Sequence, residues 1–151
     1  MIEKRLLELG IELPPAAAPV ASYVPVRTAG GLAFCAGQIP SEDGTVLLTG
    51  AVDADVSLDQ AQDAARRCAL QALAALREAL GSLDRVLGIA QLTVYVASSP
   101  GFTQQSAVAN GASEVLVEVF GEEGRHARAA VGVAELPLGA SVEVAVTSLI
   151  R

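Results

Sequence analysis

One segment limits the choice of folds more than any other. From Leu58 to Leu80 the chain reads LDQAQDAARRCALQALAALREAL, with Leu58, Ala61, Ala65, Cys68, Ala72, Leu76 and Leu80 falling near one face of a helix. Asp55 or Ser57 can cap its start, and Gly81 ends it. A helix with a single apolar stripe needs one partner surface. The β-rich segments on both sides of it supply a sheet.

Those segments can be ordered along the chain. VLGIAQLTVYVAS, from Val86, is rich in β-branched residues and reads as a long strand. YVPVRTAG from Tyr23 and LAFCAGQI from Leu32 flank Gly30 and Gly31, so residues 23–39 read as a hairpin, with Pro25 hinting at an edge position. Residues 40–45, PSEDGT, read as a loop, and VLLTGAV as a third short strand. A second helix is expected from about Phe102 to Phe120, although Gly111 in its middle costs roughly 1 kcal/mol relative to alanine. At the N-terminus, Ile2 to Leu9 has helical spacing and stops at Gly10, after which Pro14, Pro15 and Pro19 enforce an extended lead-in. After the loop GEEGRH, two strands close the chain. The order β-β-(β)-α-β-α-β-β implies an α+β fold, one mixed sheet with two helices on one face, in a single domain over 1–151 with 1–13 as a helical extension.

The other face of that sheet has no third helical layer to cover it. The closing strands are apolar on both alternating sets, so oligomerisation is the expected cover. A net charge of -7 and an aromatic content of 3% argue against nucleic acid as a partner. No run of 18 apolar residues and no signal-peptide h-region occurs, so no membrane span and a cytoplasmic location are expected. Cys35 and Cys68 lack metal-ligand spacing, and the one histidine, His126, reads as a solvated loop residue. No cofactor or metal is expected.

Two charges on the closing strands stand out, Arg128 in ARAAVGVA and Glu143 in ASVEVAV. A charge on an apolar strand is costly unless it is paired or binds something. If the two strands pair antiparallel through the LPLG turn, Arg128 and Glu143 become near neighbours, within about two residues of register. A structural ion pair with Glu135 or Glu143 is one reading of Arg128. The other is a guanidinium fork that grips a carboxylate, with Glu143 orienting a water beside it.

YVPV, FCAGQIP, TVYVAS and HARAAVGVAELPLGASVEV together resemble the RidA/YjgF family of reactive-intermediate deaminases, from about residue 19 to the C-terminus. The N-terminal helix resembles that of a less-characterised branch. The resemblance implies a chorismate-mutase-like fold, assembled as a homotrimer around an inner barrel of sheets, with clefts between subunits. It implies hydrolysis of 2-imino or enamino acids to 2-oxo acids and ammonia without cofactor or metal. Arg128 falls on the arginine that binds the substrate carboxylate, and Glu143 on the glutamate that positions the attacking water. Tyr23, Gly37 and Asn110 fall on residues lining the cleft. Two departures, Ala36 where many deaminases have serine and Ala130 where they often have cysteine, remove polar groups there. A non-enzymatic binder of small carboxylate metabolites is therefore the alternative. A ribonuclease, an activity attached to relatives, fits the acidic charge poorly.

Overall fold

In the computed structural model, which describes residues 1–18 and 21–151, the long helix runs from Leu58 to Leu80 and local chemistry sets both ends. The Ser57 hydroxyl accepts the Gln60 N–H, and the Gln60 side chain accepts the Ser57 N–H, a reciprocal box that satisfies two donors the helix leaves free. Gly81 closes the helix at φ 82°. Asp55 has a different role, accepting the Ala51 N–H at 2.8 Å in the preceding turn. Pro19, expected in the extended lead-in, lies outside the described residues.

The elements follow as α1 (Ile2–Leu9), β1 (Val26–Ala29), β2 (Leu32–Gln38), β3 (Ser41–Glu42), β4 (Thr45–Val46), α2 (Leu58–Leu80), β5 (Val86–Ala97), α3 (Gln105–Phe120), β6 (Ala127–Val133) and β7 (Val142–Ile150). Five strands form one mixed sheet in the order β1-β2-β7-β5-β6. α2 packs on β2 and β7, α3 on β5 and β6, and the two helices pack on each other, so both cover the same face. Gly111 is the reason they can approach. A Cβ there would overlap the Gln62 carbonyl oxygen of α2. The helix-propensity cost seen in the sequence is thus offset by close packing. The α1 helix docks on the outside of this layer. Leu6 is buried, Glu3 accepts the Leu83 N–H at 2.9 Å, and Arg5 Nε donates to the Glu118 carbonyl at 3.1 Å.

The closing strands do not form the expected hairpin. β6 pairs parallel with β5, with Arg128 opposite Leu92, whereas β7 pairs antiparallel with both β5 and β2. The physical reason is the segment β5-α3-β6, in which a helix crossover returns the chain in the same direction as it left. The residues after β6 then carry the chain past β5 through a tight turn at Pro137–Gly139, where Leu138 takes φ 56°. Smaller differences follow the same logic of pairing. The first strand begins at Val26, not Tyr23, and α3 begins three residues later than expected. The 40–45 loop holds the β3–β4 hairpin, whose turn residues Asp43 and Gly44 take φ 49° and 79°. Of VLLTGAV only Val46 lies in a strand, sharing β4 with the loop residue Thr45, and isolated bridges form at Thr49 and Val52.

Alternation along β7 sends Val142, Val144 and Val146 into the core and Glu143, Ala145 and Thr147 to the uncovered face. Phe34, Val131 and Leu149 stand 42–45% exposed, and the cross-strand registers place all three on that face. Among the described residues no helix is long and apolar enough to cross a membrane.

Candidate active site

The five residues singled out in the sequence separate into two groups. Tyr23, Gly37 and Glu143 line one cavity of about 810 Å³. It opens where β2 slips register against β7 between Cys35 and Gln38. Gly37 lies so close to Glu143 that a Cβ would stand 2.7 Å from the carboxylate Oε1. The glycine therefore makes room for the glutamate. Burial pushes the Glu143 carboxyl above its ordinary value. A carboxylate held in this way is a better proton acceptor than an exposed one.

Sequence reasoning missed a further part of this cavity's lining, Ser41, Arg67 and Gln71. Arg67 Nη2 donates to the Ser41 carbonyl at 2.8 Å, and its Nε donates to Gln71 Oε1 at 3.2 Å. Gln71 is buried and also donates to the Ile39 carbonyl at 2.8 Å. The signal was present, since Gln71 is a polar residue amid the alanines and leucines of α2.

Asn110 and Arg128 form the second group, on the helix side of the edge strand β6. Arg128 Nη1 donates to Asn110 Oδ1 at 2.8 Å and to Ser113 Oγ at 3.1 Å. Nη1 has two hydrogens, so both are engaged. The edge formed by Nε and Nη2 has no partner among the described residues, and it is a geometry suited to a carboxylate. Ser113 Oγ in turn lies 2.9 Å from His126 Nε2, and His126 Nδ1 lies 2.6 Å from the Gly124 carbonyl oxygen. His126 is thus half-buried and bonded at both ring nitrogens, unlike the solvated loop residue expected.

Arg128 and Glu143 are not cross-strand neighbours. β5 lies between their strands, which sets the two strands about 10 Å apart, and their register partners on β5, Leu92 for Arg128 and Tyr95 for Glu143, lie three residues from each other. They also face opposite ways. Arg128 registers with the buried Leu92 and reaches α3, whereas Glu143 registers with Tyr95 on the uncovered face. No ion pair joins them among the described residues. Cys35 and Cys68 are free thiols and both are buried. Burial pushes the Cys35 thiol up to about 12 and Cys68 higher still, where burial is again the main cause.

The family model described as "YjgF/chorismate_mutase-like, putative endoribonuclease" matches residues 3–148. The chain belongs to the YjgF/Rid family. Among relatives, Protein TCP17 of Trypanosoma cruzi is 51% identical over 144 residues, spanning 95% of this chain and 90% of that one. The structure of Atu1372 from Agrobacterium tumefaciens superposes with a TM-score of 0.90 at 46% identity, over 99% of this chain and 92% of that one. That span includes α1. RidA from the Antarctic bacterium Psychrobacter sp. PAMC 21119 matches with a TM-score of 0.61 at 27% identity, over 89% of this chain and 94% of that one. This YjgF/Rid chain therefore has the family's α+β architecture.

Proposed function

We propose that this YjgF/Rid protein hydrolyses 2-imino acids, and their enamine tautomers, to 2-oxo acids and ammonia in a cleft assembled between copies of the chain. The observation that carries the reading is the division of the site. One group offers a guanidinium with a free carboxylate-binding edge, the other a glutamate of raised pKa in a cavity, and the two face apart within one chain. Two adjacent copies in a homotrimer bring Arg128 and Asn110 of one to Tyr23, Gly37 and Glu143 of the next. The uncovered apolar face around Phe34, Val131 and Leu149 supports that assembly.

The chemistry follows from these roles. Arg128 grips the substrate carboxylate through Nε and Nη2 and fixes the C=N carbon in place. Glu143 takes a proton from water as its oxygen bonds to that carbon, forming a carbinolamine. Glu143 then passes that proton to the amino nitrogen, and as the C–N bond breaks the carbinolamine hydroxyl gives its own proton to Glu143, so that ammonia leaves with the 2-oxo acid. An iminium is already electrophilic, so positioning and one base suffice. No cofactor enters these steps.

Ala36 and Ala130 favour a second reading, in which the same cleft binds a small carboxylate metabolite without turnover. One assay separates the two. An amino-acid oxidase generates imino acids, semicarbazide traps them, and the protein competes. Under the first reading the semicarbazone yield falls, and Arg128→Ala lowers kcat/KM by roughly a hundredfold or more. Binding of 2-oxobutanoate that depends on Arg128, with no change in semicarbazone for any amino acid, establishes the second reading instead.

A further inference from the structure

The polar chain behind Arg128 has a fixed direction. A carbonyl oxygen can only accept, so the 2.6 Å contact with the Gly124 carbonyl places a hydrogen on His126 Nδ1. In the neutral ring Nε2 is then an acceptor, and the Ser113 hydroxyl donates to it across 2.9 Å. That leaves the lone pairs of Ser113 Oγ to accept from Arg128 Nη1 at 3.1 Å. The far end of this hydrogen-bonded series is buried and closely packed. Gly124 is buried, and a Cβ there would overlap the Leu116 carbonyl oxygen, so the turn is pressed against the C-terminal part of α3. The order runs from a buried turn, through an imidazole and a hydroxyl, to an exposed guanidinium.

We propose that Ser113 and His126 are positioning residues for Arg128. An exposed arginine samples many rotamers, and a ligand that needs one of them must bear the cost of ordering it. Asn110 alone supplies one acceptor and lets the guanidinium swing about that contact. A second acceptor on the same Nη1 fixes the guanidinium plane and turns the Nε/Nη2 edge outward, where a carboxylate can take both hydrogens. His126 acts through Ser113. By occupying the hydroxyl hydrogen, it keeps the serine an acceptor towards the arginine. Neither residue touches the substrate.

This proposal rests on carboxylate binding at Arg128 but not on turnover, and its test separates the two. His126 is the sole histidine of the chain, so its ring nitrogens give unambiguous signals in a sample labelled with 15N at histidine. Near pH 8 the ring should be the Nδ1–H tautomer. Ser113→Ala should shift the Nε2 resonance, and Arg128→Ala should shift it by a smaller amount. An Nε2–H tautomer, or an Nε2 signal indifferent to Ser113→Ala, overturns the proposal whatever the protein binds. In the second arm, 2-oxobutanoate is titrated by calorimetry. Ser113→Ala and His126→Phe should each weaken binding roughly fivefold to tenfold, and Ser113→Thr, which keeps the hydroxyl, should recover most of the loss. Turnover should show the change in KM with kcat nearly retained. Wild-type affinity in Ser113→Ala, or no recovery in Ser113→Thr with the fold intact by circular dichroism, overturns the positioning role. If wild-type protein binds no carboxylate, the proposed function fails, and the positioning role fails with it because Arg128 then has no ligand to be ordered for.

Discussion

Replacing Gly37 with alanine tests the site at its tightest point. The added Cβ would lie 2.7 Å from Glu143 Oε1, 2.9 Å from Cδ and 3.2 Å from Cγ. Comfortable separations for such atoms are about 3.5–4.0 Å, so the carboxylate must retreat by roughly 1 Å. Gly37 does not sit in the left-handed region, so alanine fits its backbone. What must move is the end of a flexible side chain, not a main-chain segment. Stability should therefore change by less than about 1 kcal/mol, a shift of only a few degrees in Tm. Catalysis should suffer much more. Displacing a group that aligns the attacking water by about 1 Å costs on the order of a hundredfold. In the semicarbazide competition assay, Gly37→Ala should lose about that factor in kcat, while 2-oxobutanoate still binds at Arg128. Undiminished turnover in a variant with unchanged Tm would refute the role given to Glu143. A collapse in Tm would refute the claim that the side chain alone yields.

Three further outcomes follow from the packing and charge of the chain. Burial raises the Glu143 carboxyl above 4.5, so the folded chain keeps this proton where the unfolded chain has lost it, and stability falls as pH rises through the folded value. Glu143→Gln should raise Tm at pH 7, give no gain near about pH 4, and lower turnover; a lower Tm at pH 7 would contradict this. Gly111→Ala should destabilise by roughly 2–4 kcal/mol in urea unfolding despite its better helix propensity, because the methyl meets the α2 backbone at Gln62; a stabilised variant would show that the helices can part. Ser148 Oγ is buried without a hydrogen-bond partner among the described residues, so Ser148→Ala should stabilise by about 1 kcal/mol, and a loss of stability would reveal a partner for that hydroxyl.

The helices were legible because their evidence is local. The α2 stripe, the Ser57 cap and Gly81 fix its 23 residues without reference to the rest of the molecule. Sheet pairing is not local, and there the reading of β6 and β7 as a hairpin failed. Alternation shows that a segment is extended but not which strand it lies beside. The clue was the intervening helix, since β5-α3-β6 requires a crossover and so a parallel pair. The candidate site divides in the same way. Residue type and family motif pointed to Arg128, Glu143, Gly37, Tyr23 and Asn110. Ser113 drew no notice and His126 was read as a solvated loop residue, because a serine on a helix and a histidine in a loop acquire meaning only when folding brings them within hydrogen-bond distance.

The opposed directions of Arg128 and Glu143 also have a genetic consequence. If each cleft takes its arginine from one chain and its glutamate from the next, a lesion in either residue is not confined to the polypeptide that carries it. Two alleles, one lacking the arginine and one the glutamate, would each encode a dead protein. Expressed together, they would form mixed rings in which roughly one interface in four unites two intact halves. A cell carrying both would recover part of a function that neither allele supports alone.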